Sequence, residues 1–203
     1  IDDCTLVGAA LGGAGATAVA ERCAAVQSLV LLAPAGFGHI RLAEVIALPG
    51  VRDIAQLALP LGLVNPLVVT GAYSTFVAHR TLPSRDLVER LRRRAWQSGA
   101  GVRAAVVAIA AAGRSQRGFC HRRVAFDGPV AALWGEQDAL VSTDHAAAVK
   151  RALPQARIEV WRGMGHHPQR ERPHELNRFI ERQAWRARRE ELEATRRRRA
   201  AAA

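Results

Sequence analysis

Lysine is almost missing from this chain. Lys150 is the only one, so the formal net charge of +11 is an arginine excess. Those arginines are spread along the sequence, apart from one dense cluster at Arg196–Arg199. Aromatic residues make up only 5% of the chain, too few for a surface on which bases could stack. A coding bias toward arginine accounts for the skew as well as phosphate binding does, and nucleic acid is not the expected partner.

Cysteine is scarce too. Cys4, Cys23 and Cys120 are too few and too scattered for a disulfide framework or a zinc site. Cys4 and Cys23 stand in apolar surroundings and are expected as small core residues, in a reducing, cytoplasmic setting. The remaining histidines after the pair at 166–167, namely His39, His79, His121, His145 and His174, show no ligand spacing. They are expected to be solvated or locally hydrogen-bonded, and neither a metal nor a cofactor is expected. Long apolar runs are absent as well, because Asp, Glu or Arg interrupts each one, which excludes a membrane-spanning helix. The first residues lack the basic-then-apolar pattern of a leader, and the chain opens without Met almost directly on a strand-like run. An incomplete N-terminus is the expectation.

What the chain does contain is enough apolar sequence for a core: 49% of 203 residues, the size of one domain. Cys4 to Val7 reads as a short buried strand, and Gly12 to Cys23 as a helix of small residues. Ser28 to Ala33 is a continuous apolar run of strand length, closed by Pro34-Ala-Gly-Phe-Gly38. Such runs, separated by helices, predict strands covered on both faces and hence a parallel sheet.

From His39 to Phe126 the strand signal lapses. Pro49, Pro60, Pro66 and Pro83 punctuate helical patches at Ile54–Leu59, Asp86–Gln97 and Val102–Ala112, with Ser84 placed as a cap. Strands return at Pro129–Trp134 and Arg157–Trp161, flanking a helix over Thr143–Leu153. Pro173 opens a last helix at its favoured first-turn position. The pattern divides into 1–38 and 127–185 as sheet-bearing parts, 39–126 as a helical insertion, and 186–203 as an arginine-rich tail, helical or disordered. Arg92-Arg93-Arg94 reads as a solvated helix face, and Trp134 and Trp161 as core residues.

Three glycine-containing turns follow strand ends in order: Gly8-Ala-Ala10-Leu-Gly12, Gly135-Glu-Gln-Asp138 and Gly163-Met-Gly-His166. In a parallel sheet all three share the carboxyl edge, where such folds place their sites. A carboxylate and then a histidine from successive strand ends can form an orienting pair, the carboxylate fixing the imidazole tautomer. The first turn lacks the Lys-Ser/Thr of a phosphate loop. It also lacks the acidic residue of a dinucleotide fingerprint, because Pro34 stands where that residue belongs.

The ordered set Leu6–Gly13, Ser28–Gly38, Leu133–Asp138 and Gly165–Pro173 resembles the α/β-hydrolase superfamily over essentially the whole chain. The phrase Ala33-Pro-Ala-Gly-Phe-Gly38 looks like that of capped members that cleave carbon–carbon bonds, esters or acyl conjugates. The resemblance implies a parallel sheet of about four strands with flanking helices, and a helical cap at His39–Phe126. By the same resemblance Asp138 is the triad acid, His166 the general base, and the Leu11 N–H an oxyanion donor. Gly8 and Gly12 would permit the crowded turn, Gly12-Gly13 would let the helix start close to the sheet, and His167 would line the site.

Two departures qualify that reading. Ala10 occupies the nucleophile position, and a methyl group cannot attack a carbonyl. By the resemblance the chain also begins at the family's fifth strand, without four earlier strands and the His-Gly-type loop that supplies the other oxyanion N–H. The elbow strand is then left at a sheet edge, its unpaired backbone a liability for a lone domain. The expectation is therefore an inert or nearly inert relative of serine-type hydrolases of small apolar esters, acyl compounds or carbon–carbon bonds. Two alternatives stay open: a non-catalytic protein binding a ligand or partner, and cofactor-free base catalysis by Asp138–His166. Self-association is left open by the sequence.

Overall fold

A computed structural model describes residues 3–63, 65–76, 83–115 and 118–201. Among these residues four strands form one parallel sheet in the sequential order β1 (Cys4–Ala9), β2 (Val26–Leu32), β3 (Val130–Gly135) and β4 (Arg157–Trp161). The helix α1 (Leu11–Ala20) links β1 to β2. Among the described residues five helices intervene before β3: α2 (Arg41–Ala47), α3 (Val51–Gly62), α4 (Pro66–Phe76), α5 (Arg85–Gln97) and α6 (Gly99–Ser115). The helix α7 (His145–Ala152) joins β3 to β4, and α8 (Pro168–Glu171) and α9 (Pro173–Ala201) close the chain.

Alternation along the central strands explains why both faces are covered. Leu29 and Leu31 of β2, with Val130, Ala132 and Trp134 of β3, face a core completed by α1 and α7. Their neighbours Val30, Leu32, Ala131 and Leu133 point the other way, onto Met164 and onto Leu176 and Phe179 of α9. The apolar run at 28–33 is thus continuous because each face needs its own set of side chains. On the second face a polar pair is built in: Thr5 and Ser28, opposite each other in the register, share a hydrogen bond of 2.7 Å between their hydroxyls.

The elbow strand β1 lies at the edge, as its position in the sequence implied, and Val7 is left exposed. Other expectations are revised. Cys23 is exposed and is no core residue, whereas Cys4 is half-buried and packs against the core as expected. The helices α2 and α4 appear where no pattern was read. Both are short, α4 begins on Pro66 itself, and Leu67 and Val68 remain exposed. Of the two states left open for the arginine-rich tail the helical one is found: it extends α9, which runs 29 residues in all from Pro173 to Ala201, ~43 Å of helix. Trp134 is fully buried, whereas Trp161 is half-buried and meets Phe179 edge-on. Among the described residues no helix is long and apolar enough to cross a membrane.

The helices between β2 and β3 begin and end side by side. Phe37 stacks on Phe119 with ring centroids 5.2 Å apart, and the Phe119 N–H donates to the Gly36 carbonyl at 3.1 Å. Gly36 adopts a φ of +91°, and a side chain there would press on the Phe119 ring. Within the segment, Ile46, Val106 and Ala110 make a small core of their own. The Ser84 hydroxyl accepts from the Leu87 N–H and starts α5, as its cap position predicts.

Just beyond this junction, Glu21 at the end of α1 holds the returning chain. Its carboxylate accepts from both terminal nitrogens of Arg122 and from the Ala125 N–H at 3.1 Å. Those Arg122 hydrogen bonds, opposed by burial, hold the carboxyl below its ordinary range. Stability from a depressed carboxylate is present above the unfolded value, about 4.3, and is lost as pH falls through the lower folded value. Glu21→Gln is therefore expected to lower stability by about 1 kcal/mol at pH 7, because the partner arginine is half exposed. Urea unfolding at pH 7 and pH 3 checks this: the gap between variant and parent must narrow at the lower pH.

Candidate active site

The parallel register carries the ends of β1, β2 and β3 to one edge. Ala9 pairs with Leu32, and Leu32 with Leu133. Beyond the strands the ladder continues for one more rung, from the Ala10 N–H to the Leu32 carbonyl at 2.9 Å and from the Ala33 N–H to the Leu133 carbonyl at 2.8 Å. The turns bearing Ala10, Asp138 and His166 all leave from this edge.

At Ala10 the backbone takes φ +48° and ψ −120°, a conformation that L-residues rarely adopt and that costs about 1–3 kcal/mol. Three hydrogen bonds fix it. Besides the bond from its own N–H, the Ala10 carbonyl accepts from the Gly13 N–H at 2.9 Å and from the Ala35 N–H at 2.8 Å. Helix α1 starts directly afterwards without a side-chain cap, and the Leu11 N–H has no backbone acceptor among the described residues. An uncapped helix start of this kind presents donors to a developing negative charge.

Which glycines permit the turn differs from the expectation. A Cβ on Gly8 would lie 2.6 Å from the Ala16 Cβ and from the Gly12 carbonyl oxygen. One on Gly13 would lie 2.6 Å from the Pro34 Cβ. Gly12 has open space around it, so the crowding falls on Gly8 and Gly13 and not on Gly12.

The acid and the histidine do meet. His166 Nδ1 and Asp138 Oδ2 are 2.7 Å apart, with the two side chains 3% and 0% exposed. The other oxygen of Asp138 accepts from the Leu140 and Val141 N–H groups, each at 2.9 Å, so the carboxylate cannot swing away. Because a carboxylate accepts, Nδ1 carries the proton and Nε2 presents its lone pair. Such an imidazole can take a proton, and the adjacent carboxylate stabilises the cation that results.

Two supports were not read from the sequence. Glu171 bridges the N–H groups on either side of His166, accepting from Gly165 at 2.8 Å and from His167 at 3.2 Å. Glu136 accepts from the Gly163 N–H at 3.0 Å. Gly135 is the closest approach of all: a side chain there would collide with the carbonyls of Met164 and Gly165. The signal was available, since both glutamates lie inside the motifs that carry Asp138 and His166.

His167 stands beside His166, ring centroids 5.1 Å apart, and lines a cleft of about 650 Å³ facing α4, α5 and α6. Burial, then the neighbouring His166 and Arg170, hold its imidazole below the ordinary value. His145, expected to be solvated or locally hydrogen-bonded, takes the second course: it is buried tight against Gly38 with a hydrogen bond to the His39 backbone, and burial lowers it as well. His39 is exposed and paired with Glu44 at 2.5 Å, whereas His79 lies outside the described residues. No cluster of metal-ligating side chains occurs among the described residues.

This arrangement defines a class. A sequence model of the alpha/beta hydrolase family matches residues 1–179, and the chain belongs to that family. None of the curated proteins compared with it matches at a significant level. Solved structures share the fold. A bacterial membrane phospholipase A is 22% identical at a TM-score of 0.67, covering 93% of this chain and 58% of its own. An esterase from Thermogutta terrifontis is 20% identical at 0.66, covering 92% and 66%. A meta-cleavage product hydrolase from Pseudomonas fluorescens IP01 is 20% identical at 0.65, covering 89% and 64%. The chain thus spans 58–66% of the length of these three.

The elbow generates a paired prediction. Gly8→Ala is expected to destabilise by about 1–3 kcal/mol through overpacking, while Ala10→Gly relieves the positive φ and stabilises by about 1 kcal/mol. Urea denaturation of both variants checks it, and equal effects of the same sign would remove the strained-elbow account.

Proposed function

We propose that this chain carries the elbow, acid and histidine of a serine-type hydrolase scaffold. The scaffold acts on an ester, acyl or carbon–carbon bond of a largely apolar small molecule. The observation that carries the reading is the strained backbone of Ala10, pinned by three hydrogen bonds on the sheet edge that also bears the buried Asp138–His166 pair. Strain without chemical benefit is otherwise hard to retain, and sites are where it accumulates. The named relatives, described as a phospholipase, an esterase and a meta-cleavage product hydrolase, support the same class.

In this reading Asp138 orients His166, and His166 Nε2 is the general base. The Leu11 N–H is one donor to the oxyanion, and the helices over 39–126 are the cap above the substrate. Ala10 holds the nucleophile's place without its hydroxyl, so the first step, attack on the carbonyl, has no attacking atom. In a serine protease such a loss lowers turnover on the order of 10⁶-fold. The intact Asp138–His166 hydrogen bond also favours a second reading, in which the pair abstracts a proton from an activated substrate with no nucleophile at all.

A fluorophosphonate probe and p-nitrophenyl butyrate separate these readings. The chain as it stands should take no label. Ala10→Ser should be labelled at position 10 and gain ester hydrolysis at least about a hundredfold, lost again when His166→Ala is added. A folded Ala10→Ser variant with neither label nor hydrolysis would falsify the serine-type reading. Proton-abstraction activity in the parent that vanishes with His166→Ala would establish the second.

A further inference from the structure

The run Arg92-Arg93-Arg94 is not uniform in the fold. Glu89 neutralises the first two, pairing with Arg92 at 2.7 Å and with Arg93 at 3.0 Å. Arg94 has no ion pair among the described residues and lines the cleft beside His167. Arg170, from α8, lines the same cleft, its guanidinium 5.9 Å from the centre of the Tyr73 ring and likewise without an acidic partner. No Asp or Glu lines this cleft among the described residues. Burial holds the His167 imidazole below its ordinary value, so the permanent positive charge there belongs to the two arginines.

The rest of the lining is mostly apolar, with Leu63, Val69, Leu91 and Val102 prominent. The volume, about 650 Å³, falls within the range that encloses a small organic molecule. Two unneutralised guanidiniums in a largely apolar concavity attract an anion, and the apolar walls require that the anion carry a hydrocarbon body. An inorganic anion would leave those walls wet, and an uncharged hydrocarbon would leave the arginines without a partner.

We propose that the cleft between the inter-strand helices and the histidine turn binds a small amphipathic carboxylate, with Arg94 and Arg170 supplying the counter-charge. His167 meets the His166 ring edge-on, which sets this cleft beside the acid–histidine pair. Its identity as the substrate or product subsite rests on the hydrolytic reading above. Binding itself does not, because no turnover is needed to observe it.

The experiment is calorimetric titration of the chain, Ala10 retained, with octanoate, 1-octanol and acetate. Octanoate should bind at least about tenfold more tightly than either of the others. Arg94→Gln and Arg170→Gln should each weaken octanoate about tenfold and leave 1-octanol unchanged, and Arg93→Gln, whose side chain is held by Glu89, should alter neither. Equal affinity for octanoate and 1-octanol would overturn the proposal, as would equal affinity for octanoate and acetate, or octanoate binding indifferent to both arginine variants. Circular dichroism of each variant guards against loss of fold. If octanoate binds as expected while Ala10→Ser remains inert, the anion site stands and only the hydrolytic reading falls.

Discussion

The turn over Gly135 is the constraint around which the site is assembled. Because that residue has no side chain, the Met164–Gly165 backbone lies directly on the end of β3, and the Gln137 N–H reaches the Met164 carbonyl at 2.8 Å. Two loops from successive strands are thereby pressed together. Asp138 and His166 ride on them and meet at hydrogen-bond distance with almost no exposure. Glu136 and Glu171 add backbone hydrogen bonds on the histidine side. A buried pair left half satisfied would be unfavourable, and here each carboxylate oxygen of Asp138 has partners.

Much of this was legible in the sequence because it rests on local signals. A continuous apolar run bounded by glycine and proline reads as a doubly covered strand, and the strands at 28–33, 129–134 and 157–161 all form. Asp138 and His166 were legible as a pair because a parallel sheet sends successive strand ends to one edge. The misses have a common cause: they depend on what comes close from elsewhere in the chain. Nothing local distinguishes Gly12, which is unconfined, from Gly8 and Gly13, which are crowded by Ala16 and Pro34. No local signal in the sequence tells which of the scattered histidines is enclosed, yet the space left by Gly38 admits the His145 ring into the core. The three consecutive arginines look alike until Glu89 is seen to neutralise two of them.

Ala10 shows how far backbone and side chain can be separated. Its left-handed φ is imposed by hydrogen bonds that involve only main-chain atoms of residues 10, 13, 32 and 35. None of them senses whether the side chain ends in a methyl or a hydroxyl. The same holds for the uncapped first turn of α1. The geometry of the elbow is thus a property of the strand register and of Gly8 and Gly13, and the chemistry at position 10 is an independent variable placed upon it.

The meeting of Gly36–Phe37 with Phe119 bears on how such a chain can diverge. A stretch of some eighty residues leaves the sheet and returns to the same point, its ends fastened by a stacked ring pair and a backbone hydrogen bond. Closing a longer or shorter stretch at that point changes the loop entropy only logarithmically, about 0.6 kcal/mol per doubling of length. Helices can accordingly be inserted, deleted or reshuffled above the clamp with little strain transmitted to β2 and β3. The sheet beneath behaves as a socket, and the helical stretch fastened to it can change in length and arrangement while the strands stay as they are.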